Sequence, residues 1–163
     1  MPLVLTRIDD RLIHGQVVEG WLRVIQAQRI VVANDRAAAD SLQGGLMRLA
    51  VPDEVALDVL TVEVATARLK DNDWGQERVL VLFGSVADLA RAVEAGAPLT
   101  HVNLGGVHDG PGRTQATPHL SLNTEEKRAV AGLLRRGIVV DTRSLPTAEN
   151  VPVGTLFPDL ESA

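Results

Sequence analysis

The chain has 163 residues, of which 45% are hydrophobic and 23% charged, which favours one globular domain with a sizeable core over a disordered chain. It contains no cysteine, so disulfides, thiolate zinc sites and a cysteine nucleophile are excluded. The net charge of −5 and the aromatic content of 2% argue against nucleic acid as a partner, because such binding uses basic surfaces and aromatic stacking. Among the 16 basic residues only Lys70 and Lys127 are lysines, which indicates that arginine carries any recognition of anions.

Targeting signals are absent from the sequence pattern. No window approaches the roughly 20 apolar residues of a membrane span, and the first eight residues lack the basic region and long apolar run of a signal peptide. We therefore expect a cytoplasmic protein that forms a single domain over 1–163. Pro146, Pro152 and Pro158 predict that the tail after about residue 144 is peripheral, as irregular surface chain or a last edge strand.

Short aliphatic runs alternate with amphipathic stretches along the chain. Six runs have the size of a strand: 3–8, 30–33, 55–60, 79–83, 99–104 and 138–141. Apolar residues recur at helical spacing between them, in 17–25, 42–49 and 86–93. The alternation predicts an α/β fold with a mainly parallel central sheet, helices on both faces and room for an antiparallel edge strand. Residues 119–122 are a candidate for one short extra strand.

Helix boundaries and one long loop are marked by local sequence. Ser85 with Asp88 resembles a capping pair, and Asn123 with Glu126 is typical of a second helix start, which Gly137 closes. The region 105–119 is different, because its glycines and polar residues follow a predicted strand without any helical period. We expect a long polar loop there.

The densest polar cluster lies at the end of the first predicted strand, in 7–16, where five of eight consecutive residues are ionisable. In open parallel sheets ligands collect beyond the carboxyl ends of the strands, so this is the expected site. His14 stands at the predicted start of the first helix, where free N–H groups and the helix dipole favour an anion. The same field favours the neutral imidazole, whose lone pair is able to attack phosphorus.

The neighbours of His14 supply groups that a phosphoryl site needs. Arg11 is placed to fork two hydrogen bonds to phosphate oxygens, with Arg7 behind it. Either Asp9 or Asp10 is placed to fix the imidazole tautomer or to tether Arg11. Gly15 permits close approach of the backbone to a phosphate. Gln16, the last residue of the cluster, completes the set of supporting residues.

Plain structural explanations stand beside these roles. A lone histidine near a helix start is usually a cap, and an Asp-Asp-Arg run is commonly a solvated turn. The placement at the sheet edge and the opposite charges around one titratable nucleophile favour the functional interpretation.

The other histidines give weaker signals. His101 is expected to be a hydrogen-bonded buried histidine of the fifth strand, and His119 has no partner in sequence. His108 lies in the glycine loop, which either reaches the site of His14 or is a mobile surface segment. No His-x-x-x-His spacing, dinucleotide fingerprint or P-loop lysine is present, so the sequence implies neither metal nor cofactor.

Residues 7–17 (RIDDRLIHGQV), followed by Trp21, closely resemble the phosphorylation-site segment of IIB components of the mannose/fructose/sorbose type of the bacterial sugar phosphotransferase system. The resemblance continues, in the right order, through 30–35 (IVVAND), 79–83 (VLVLF), 102–106 (VNLGG) and 112–115 (GRTQ). It spans most of the chain and fades after about residue 141.

The resemblance implies a phosphohistidine intermediate on the δ1 nitrogen of His14. In this family the histidine accepts a phosphoryl group from a IIA protein and passes it to a sugar held by the membrane IIC/IID complex. Arg11 matches the family arginine that contacts the phosphate, and the same loop supplies Arg7 and the aspartates. The segments near 84–85 and 105–106 are expected to border the site.

This sequence departs from the family at two loops, 84–86 (GSV) and 107–111 (VHDGP), where members often have Thr-Asn-Pro and a Phe-Arg pair. Two alternatives therefore stay open beside sugar transport: a regulatory phosphohistidine switch that binds a protein partner, and a non-catalytic anion-binding module. The sequence also leaves open which sugar is used and whether the chain forms a homo-oligomer.

Overall fold

The computed structural model describes residues 3–162. Its strands are β1 (Leu3–Asp9), β2 (Arg29–Ala33), β3 (Ala56–Leu60), β4 (Val79–Phe83), β5 (His101–Gly106), β6 (Thr114–Thr117), β7 (Leu120–Leu122) and β8 (Val139–Asp141). A π-helical segment, Gln16–Trp21, runs directly into α1 (Leu22–Ile25). The remaining helices are α2 (Asp35–Ala38), α3 (Ser41–Ala50), α4 (Val62–Asp71), α5 (Val86–Glu94), α6 (Thr124–Arg135), α7 (Val153–Leu156) and a 3₁₀ turn, Leu160–Ser162.

The central sheet has six strands in the order β3-β2-β4-β1-β5-β8, and every neighbouring pair is parallel. The predicted α/β class and the six predicted strands are confirmed. The extra strand predicted near 119–122 is also confirmed as β7, but it pairs antiparallel with β6 in a separate two-stranded sheet rather than at an edge of the central one.

Side chains of the buried strands alternate between two cores, one on each face of the sheet. On β4, Val79, Val81 and Phe83 pack with α4, α5 and α6, whereas Leu80 and Leu82 pack with α1 and α3 on the other face. Both faces are therefore covered, as parallel sheets require. Within residues 3–162 no helix is long and apolar enough to cross a membrane.

Helix ends follow the predicted local chemistry. The Ser85 hydroxyl accepts the Asp88 N–H at 3.1 Å. Asn123 and Glu126 form a reciprocal capping box at the start of α6, and Gly137 adopts a φ of +82° just beyond its end. These caps fix where α5 and α6 begin relative to the carboxyl edge of the sheet.

The tail differs from the expected irregular surface chain or edge strand. It forms α7 and the 3₁₀ turn, and it buries Val153, Phe157 and Leu160 in the core on the α6 side. Lys127 of α6 also pairs with Asp159 at 2.8 Å. Pro146 and Pro158 stand in turns and Pro152 precedes α7, but the apolar residues between them anchor the tail, so it is part of the packed structure.

Connections leave β1 and β5 in opposite directions, toward β2 and toward β8 respectively. Such divergence opens a crevice at the carboxyl ends of two adjacent strands, where open α/β sheets bind ligands. The strands that diverge here end at Asp9 and Gly106, which lie beside each other at the carboxyl edge, so a ligand is expected above this pair.

Candidate functional site

Asp9 is the centre of the site. Its side chain is fully buried and accepts hydrogen bonds from three side chains: Arg7 Nη2 at 2.8 Å, Arg11 Nε at 3.1 Å and His14 Nε2 at 2.9 Å. Both tasks foreseen for an aspartate, orienting the imidazole and tethering Arg11, thus belong to Asp9. Asp10 does neither, because its carboxylate is bound by His108.

The pKa of the Asp9 carboxyl lies well below its ordinary value. Burial by itself raises this pKa, but the hydrogen bonds from His14 and Arg11 and the charge of Arg7 outweigh the effect of burial. Asp9 is therefore an ionised carboxylate that acts only as an acceptor.

This state of Asp9 determines the tautomer of His14. Since Asp9 offers only acceptors, His14 Nε2 donates, and in the neutral ring Nδ1 then carries the lone pair. The Gln16 N–H points at the same Nδ1, at 3.3 Å. The histidine side chain is 15% exposed, so a ligand can reach its ring. The arrangement presents a nucleophilic nitrogen.

His14 lies two residues before the π-helical segment, close to its predicted position at a helix start. The N–H groups of the first helical turn are not free, because those of Val17 and Val18 both donate to the His14 carbonyl. The free N–H groups lie one or two residues before the π-helical segment. Among residues 3–162, the N–H groups of His14 and Gly15 have no hydrogen-bond acceptor. A Cβ added at Gly15 would meet nothing within 4 Å, so the space over this backbone is open.

Arg11 bridges the buried carboxylate and the surface. Its Nη2 donates to Asp9 Oδ2 at 3.2 Å and to Gln16 Oε1 at 2.8 Å, while its side chain is 37% exposed. Asp9 and Gln16 thus orient one side of the guanidinium, and Nη1 has no acceptor among the described residues. The free edge is available to an anion.

Arg7 lies beneath this layer and is completely buried. Burial lowers the pKa of Arg7, although Asp9 acts against the shift. The guanidinium also donates from Nη1 to Asn103 Oδ1 at 2.8 Å and to the Ser144 carbonyl at 3.0 Å. Trp21 Nε1 donates to the same carbonyl at 2.9 Å. Arg7 therefore places a buried positive charge beneath Asp9, and its nitrogens are bound within the protein rather than open to a ligand.

Two glycines make room for the buried ion pair. A Cβ on Gly105 would lie 2.0 Å from Arg7 Cζ, and a Cβ on Gly106 would lie 2.8 Å from the Asp9 carboxylate oxygens. These residues were expected at the border of the site, in or beside a loop. They are instead the last two residues of β5, and Arg7 and Asp9 lie directly against them.

A strained turn carries the chain from β1 to His14. Leu12 has a φ of +58°, a left-handed conformation that costs a β- or γ-branched residue about 1–2 kcal/mol. Its N–H donates to the Asp9 carbonyl at 3.0 Å, and its side chain is buried in the core beside α1 and α3. This burial holds the turn, which reverses the chain so that Arg11 and His14 both lie over Asp9.

The remaining histidines lie outside the Asp9 cluster. His101 was expected to be buried, but its side chain is 52% exposed. It is the first residue of β5 and lies at the opposite edge of the sheet. His119 contacts Thr117 Oγ1 and the Thr142 carbonyl, both at 3.2 Å. His108 binds Asp10 beside the site.

Sequence reasoning missed two supporting groups. Asn103 was counted within an aliphatic strand, although a polar residue in a buried run is itself a signal of a buried partner. The Ser144 carbonyl carries no sequence signal, because any residue supplies a backbone oxygen.

Fold and site together define a class of protein: an α/β domain that presents a histidine nitrogen lone pair, beside an arginine and open backbone N–H groups, at the carboxyl edge of a parallel sheet. Such an arrangement suits transfer of a phosphoryl group through histidine, which needs positioning and charge stabilisation.

Comparison with known proteins identifies the family. The model of the family "PTS system sorbose subfamily IIB component" matches residues 3–162, and the chain belongs to this family. It is a IIB phosphocarrier component of a sugar phosphotransferase system, in which IIB works with IIA and IIC/IID components.

Similar proteins agree over nearly the whole chain. The sorbose-specific EIIB component of Klebsiella pneumoniae is 34% identical over 94% of this chain and 93% of its own length. The crystal structure of the IIBSor domain of the sorbose permease from Klebsiella pneumoniae superposes with a TM-score of 0.90 at 33% identity, covering 100% of this chain and 99% of that one. The fructose-specific EIIB component of Bacillus subtilis is 31% identical over 90% of both chains. The mannose-specific EIIAB component of Escherichia coli K12 is 35% identical over 90% of this chain but only 46% of its own length.

Proposed function

We propose that His14 Nδ1 accepts a phosphoryl group from a phosphohistidine of a IIA protein and passes it to a sugar held by a IIC/IID membrane complex, at the cytoplasmic face. The observation that carries this proposal is the hydrogen bond of 2.9 Å between His14 Nε2 and the buried Asp9 carboxylate. It leaves the lone pair on Nδ1, the same nitrogen that the family resemblance implies.

The transfer requires no proton movement at His14. The Nδ1 lone pair forms the new P–N bond while the bond from phosphorus to the donor imidazole breaks and its electron pair returns to the donor nitrogen. The His14 proton stays on Nε2, where Asp9 offsets the positive charge that develops on the phosphorylated ring. In the second step a sugar hydroxyl attacks phosphorus and loses its proton to solvent, and the P–N electron pair returns to Nδ1.

The residues around His14 divide the supporting roles. The free edge of Arg11 pairs with phosphoryl oxygens, and Gln16 holds that arginine through its Oε1. The open space at Gly15 admits the phosphoryl group beside backbone N–H donors. Arg7 and Asp9 act from below by holding Arg11 and His14 in place.

The test is phosphorylation by the complete donor chain. The protein is incubated with phosphoenolpyruvate, the general phosphotransferase proteins and a IIA protein, and its intact mass is measured. We expect one acid-labile phosphoryl group, which is absent from His14→Gln and present in the control His101→Gln. Arg11→Ala is expected to slow labelling while the fold is kept. Labelling that survives His14→Gln, or tight anion binding without any phosphoryl-enzyme, would contradict the proposal.

A further inference from the structure

The loop after β5 is bound to the site by one side chain, that of Asp10. His108 donates its backbone N–H to Asp10 Oδ2 at 2.8 Å, and His108 Nδ1 lies 2.6 Å from Asp10 Oδ1. Because both carboxylate oxygens accept, Nδ1 of His108 carries the proton. This assignment is opposite to that of His14, whose proton is on Nε2. The two histidines therefore have different tasks.

The bond to Asp10 is one end of a continuous chain of contacts. Arg113, at the far end of the same loop, donates from Nη1 to the His108 carbonyl at 2.9 Å. It also pairs with both carboxylate oxygens of Glu126, each at 3.0 Å. Glu126 belongs to the capping box of α6. The loop 107–113 is thus held between the start of α6 and the turn that carries Arg11.

Asp10 is the residue through which this loop affects the site. It stands between Asp9 and Arg11 in sequence, and its N–H donates to the Gly106 carbonyl at 2.9 Å. Its side chain is 31% exposed and is bound by His108, so this residue is held to β5 and to the loop after it at both its backbone and its carboxylate. Without His108 the Asp10 carboxylate loses this anchor, and the turn that carries Arg11 is held less firmly against the loop.

We propose that His108 is a positioning residue for phosphoryl transfer. It anchors Asp10, and with it the turn that carries Arg11, and it keeps the loop 107–113 as an ordered rim beside the site that the phosphorylated donor approaches. This inference rests on the proposed function of His14. A rim that is already ordered spares the complex the cost of ordering it, so the effect falls mainly on the KM for the donor.

The test uses three variants at one position. His108→Ala removes the donor, His108→Asn returns an N–H to the place of Nδ1, and His108→Gln places its N–H at the distance of Nε2. His101→Ala is the matched control, because His101 is an exposed histidine at the other end of β5. All four are expected to melt close to the unaltered protein, since exposed pairs contribute little to stability.

The expected kinetic result is a rise of about 3- to 10-fold in the KM for phosphorylated IIA in His108→Ala and His108→Gln, with kcat changed less. His108→Asn is expected to restore most of the loss, and His101→Ala to leave both constants unchanged. Hydrogen exchange on the free protein is expected to show faster exchange of the amides of 107–113 in His108→Ala but not in His108→Asn.

Two failures are distinguishable. If the unaltered protein takes no phosphoryl group, the phosphocarrier proposal and this inference both fall. If it is labelled normally and His108→Ala matches it in KM, or His108→Asn behaves like His108→Ala, only the positioning role of His108 is overturned.

Discussion

Two networks of arginine, carboxylate and tryptophan lie at opposite edges of the same sheet. At the carboxyl edge, Asp9 and Arg7 are completely buried. At the amino edge, Arg29 donates to Asp58 at 3.0 Å and to Glu77 at 2.8 Å, and these side chains are between 21% and 38% exposed. A tryptophan contacts each network. The Trp21 ring centre lies 5.7 Å from Arg7 Cζ, and Trp74 Nε1 donates to Asp58 at 3.0 Å.

The difference between the networks shows that pairing of charges alone does not make a site. In the half-buried network each charge is paired within solvent reach, so it ties β2, β3 and the segment before β4 together at little cost. In the buried network one anion accepts from three side chains, and two of these, Arg11 and His14, reach the surface. Arg11 has a free edge there, and the Nδ1 lone pair of His14 accepts only the Gln16 N–H among the described residues, at 3.3 Å. Burial thus converts charge pairing into orientation of reactive groups.

The largest expected difference between the two networks is in the free energy of unfolding, when the central aspartate of each is changed to asparagine. Asp9→Asn leaves the buried Arg7 uncompensated and is expected to lower the free energy of unfolding by about 3–5 kcal/mol. Asp58→Asn acts on the half-buried network, where solvent screens the charges, and is expected to cost at most about 1 kcal/mol. Urea unfolding at pH 7 measures both.

The two aspartates also separate stability from function. Asp58→Asn is expected to keep full labelling, whereas any folded Asp9→Asn is labelled slowly, because the amide that replaces the carboxylate no longer offers an acceptor-only group to His14. Equal losses of stability in the two variants would show that burial is not what distinguishes the networks.

A smaller effect is expected from adding one methyl group beside the site. In Gly105→Ala the new Cβ would lie 2.0 Å from Arg7 Cζ, so the ion pair must shift, at a cost of about 1–3 kcal/mol. In Gly15→Ala the methyl meets no protein atom within 4 Å, and the backbone φ of −54° suits alanine. Its stability is therefore expected to change by less than about 1 kcal/mol.

The rate of phosphoryl labelling is expected to fall in Gly15→Ala, the variant whose stability changes least. Gly15→Ala places its methyl in the space proposed for the phosphoryl group, so labelling slows in a protein that is as stable as before. Thermal unfolding and the rate of labelling are measured on both variants. A Gly15→Ala protein with unaltered labelling would remove the backbone at Gly15 from the proposed site.

Much of the fold follows from local sequence. Aliphatic runs predicted all six strands of the sheet, and the caps at Ser85 and Asn123 fixed two helix starts, because each signal depends on residues close in the chain. The burial of Phe157 in the tail was not predicted, since it depends on α6, which is distant in sequence. The separate placement of the β6–β7 hairpin likewise depends on tertiary contacts.

In the site, too, residues of one segment could be predicted from the sequence, whereas contacts between distant strands could not. His14 and Arg11 were recognisable from one segment, and so was the need for an aspartate. The choice of Asp9 over Asp10 required the register of β1 on β5, since Gly106 lies against Asp9 while the next loop binds Asp10. Distances across the sheet cannot be obtained from spacing along the chain.

The smallest expected effect is a pH dependence that differs between the two networks. The pKa of Asp9 is lowered in the folded protein, so above about pH 4 the carboxyl is ionised in both folded and unfolded chains and its full contribution to stability is present. As the pH falls below that value the unfolded chain takes up the proton first. The contribution is then lost at up to about 1.4 kcal/mol per pH unit. The pKa of Glu77 is also lowered, chiefly by the hydrogen bond from Arg29, but this carboxyl is 38% exposed and solvent weakens its effect.

Urea unfolding at pH 5, 4 and 3 is expected to show that the stability difference between the unaltered protein and Asp9→Asn shrinks steeply as the pH falls, whereas the difference for Glu77→Gln changes little. Carbon-13 NMR of the Asp9 carboxyl in the unaltered protein checks the same point without a variant, because that carboxyl is expected to stay ionised at pH 3. Parallel pH profiles for the two variants, or protonation of Asp9 near pH 4, would mean that His14, Arg11 and Arg7 do not hold the charge on Asp9. The reason for a lone pair on Nδ1 of His14 would then be lost as well.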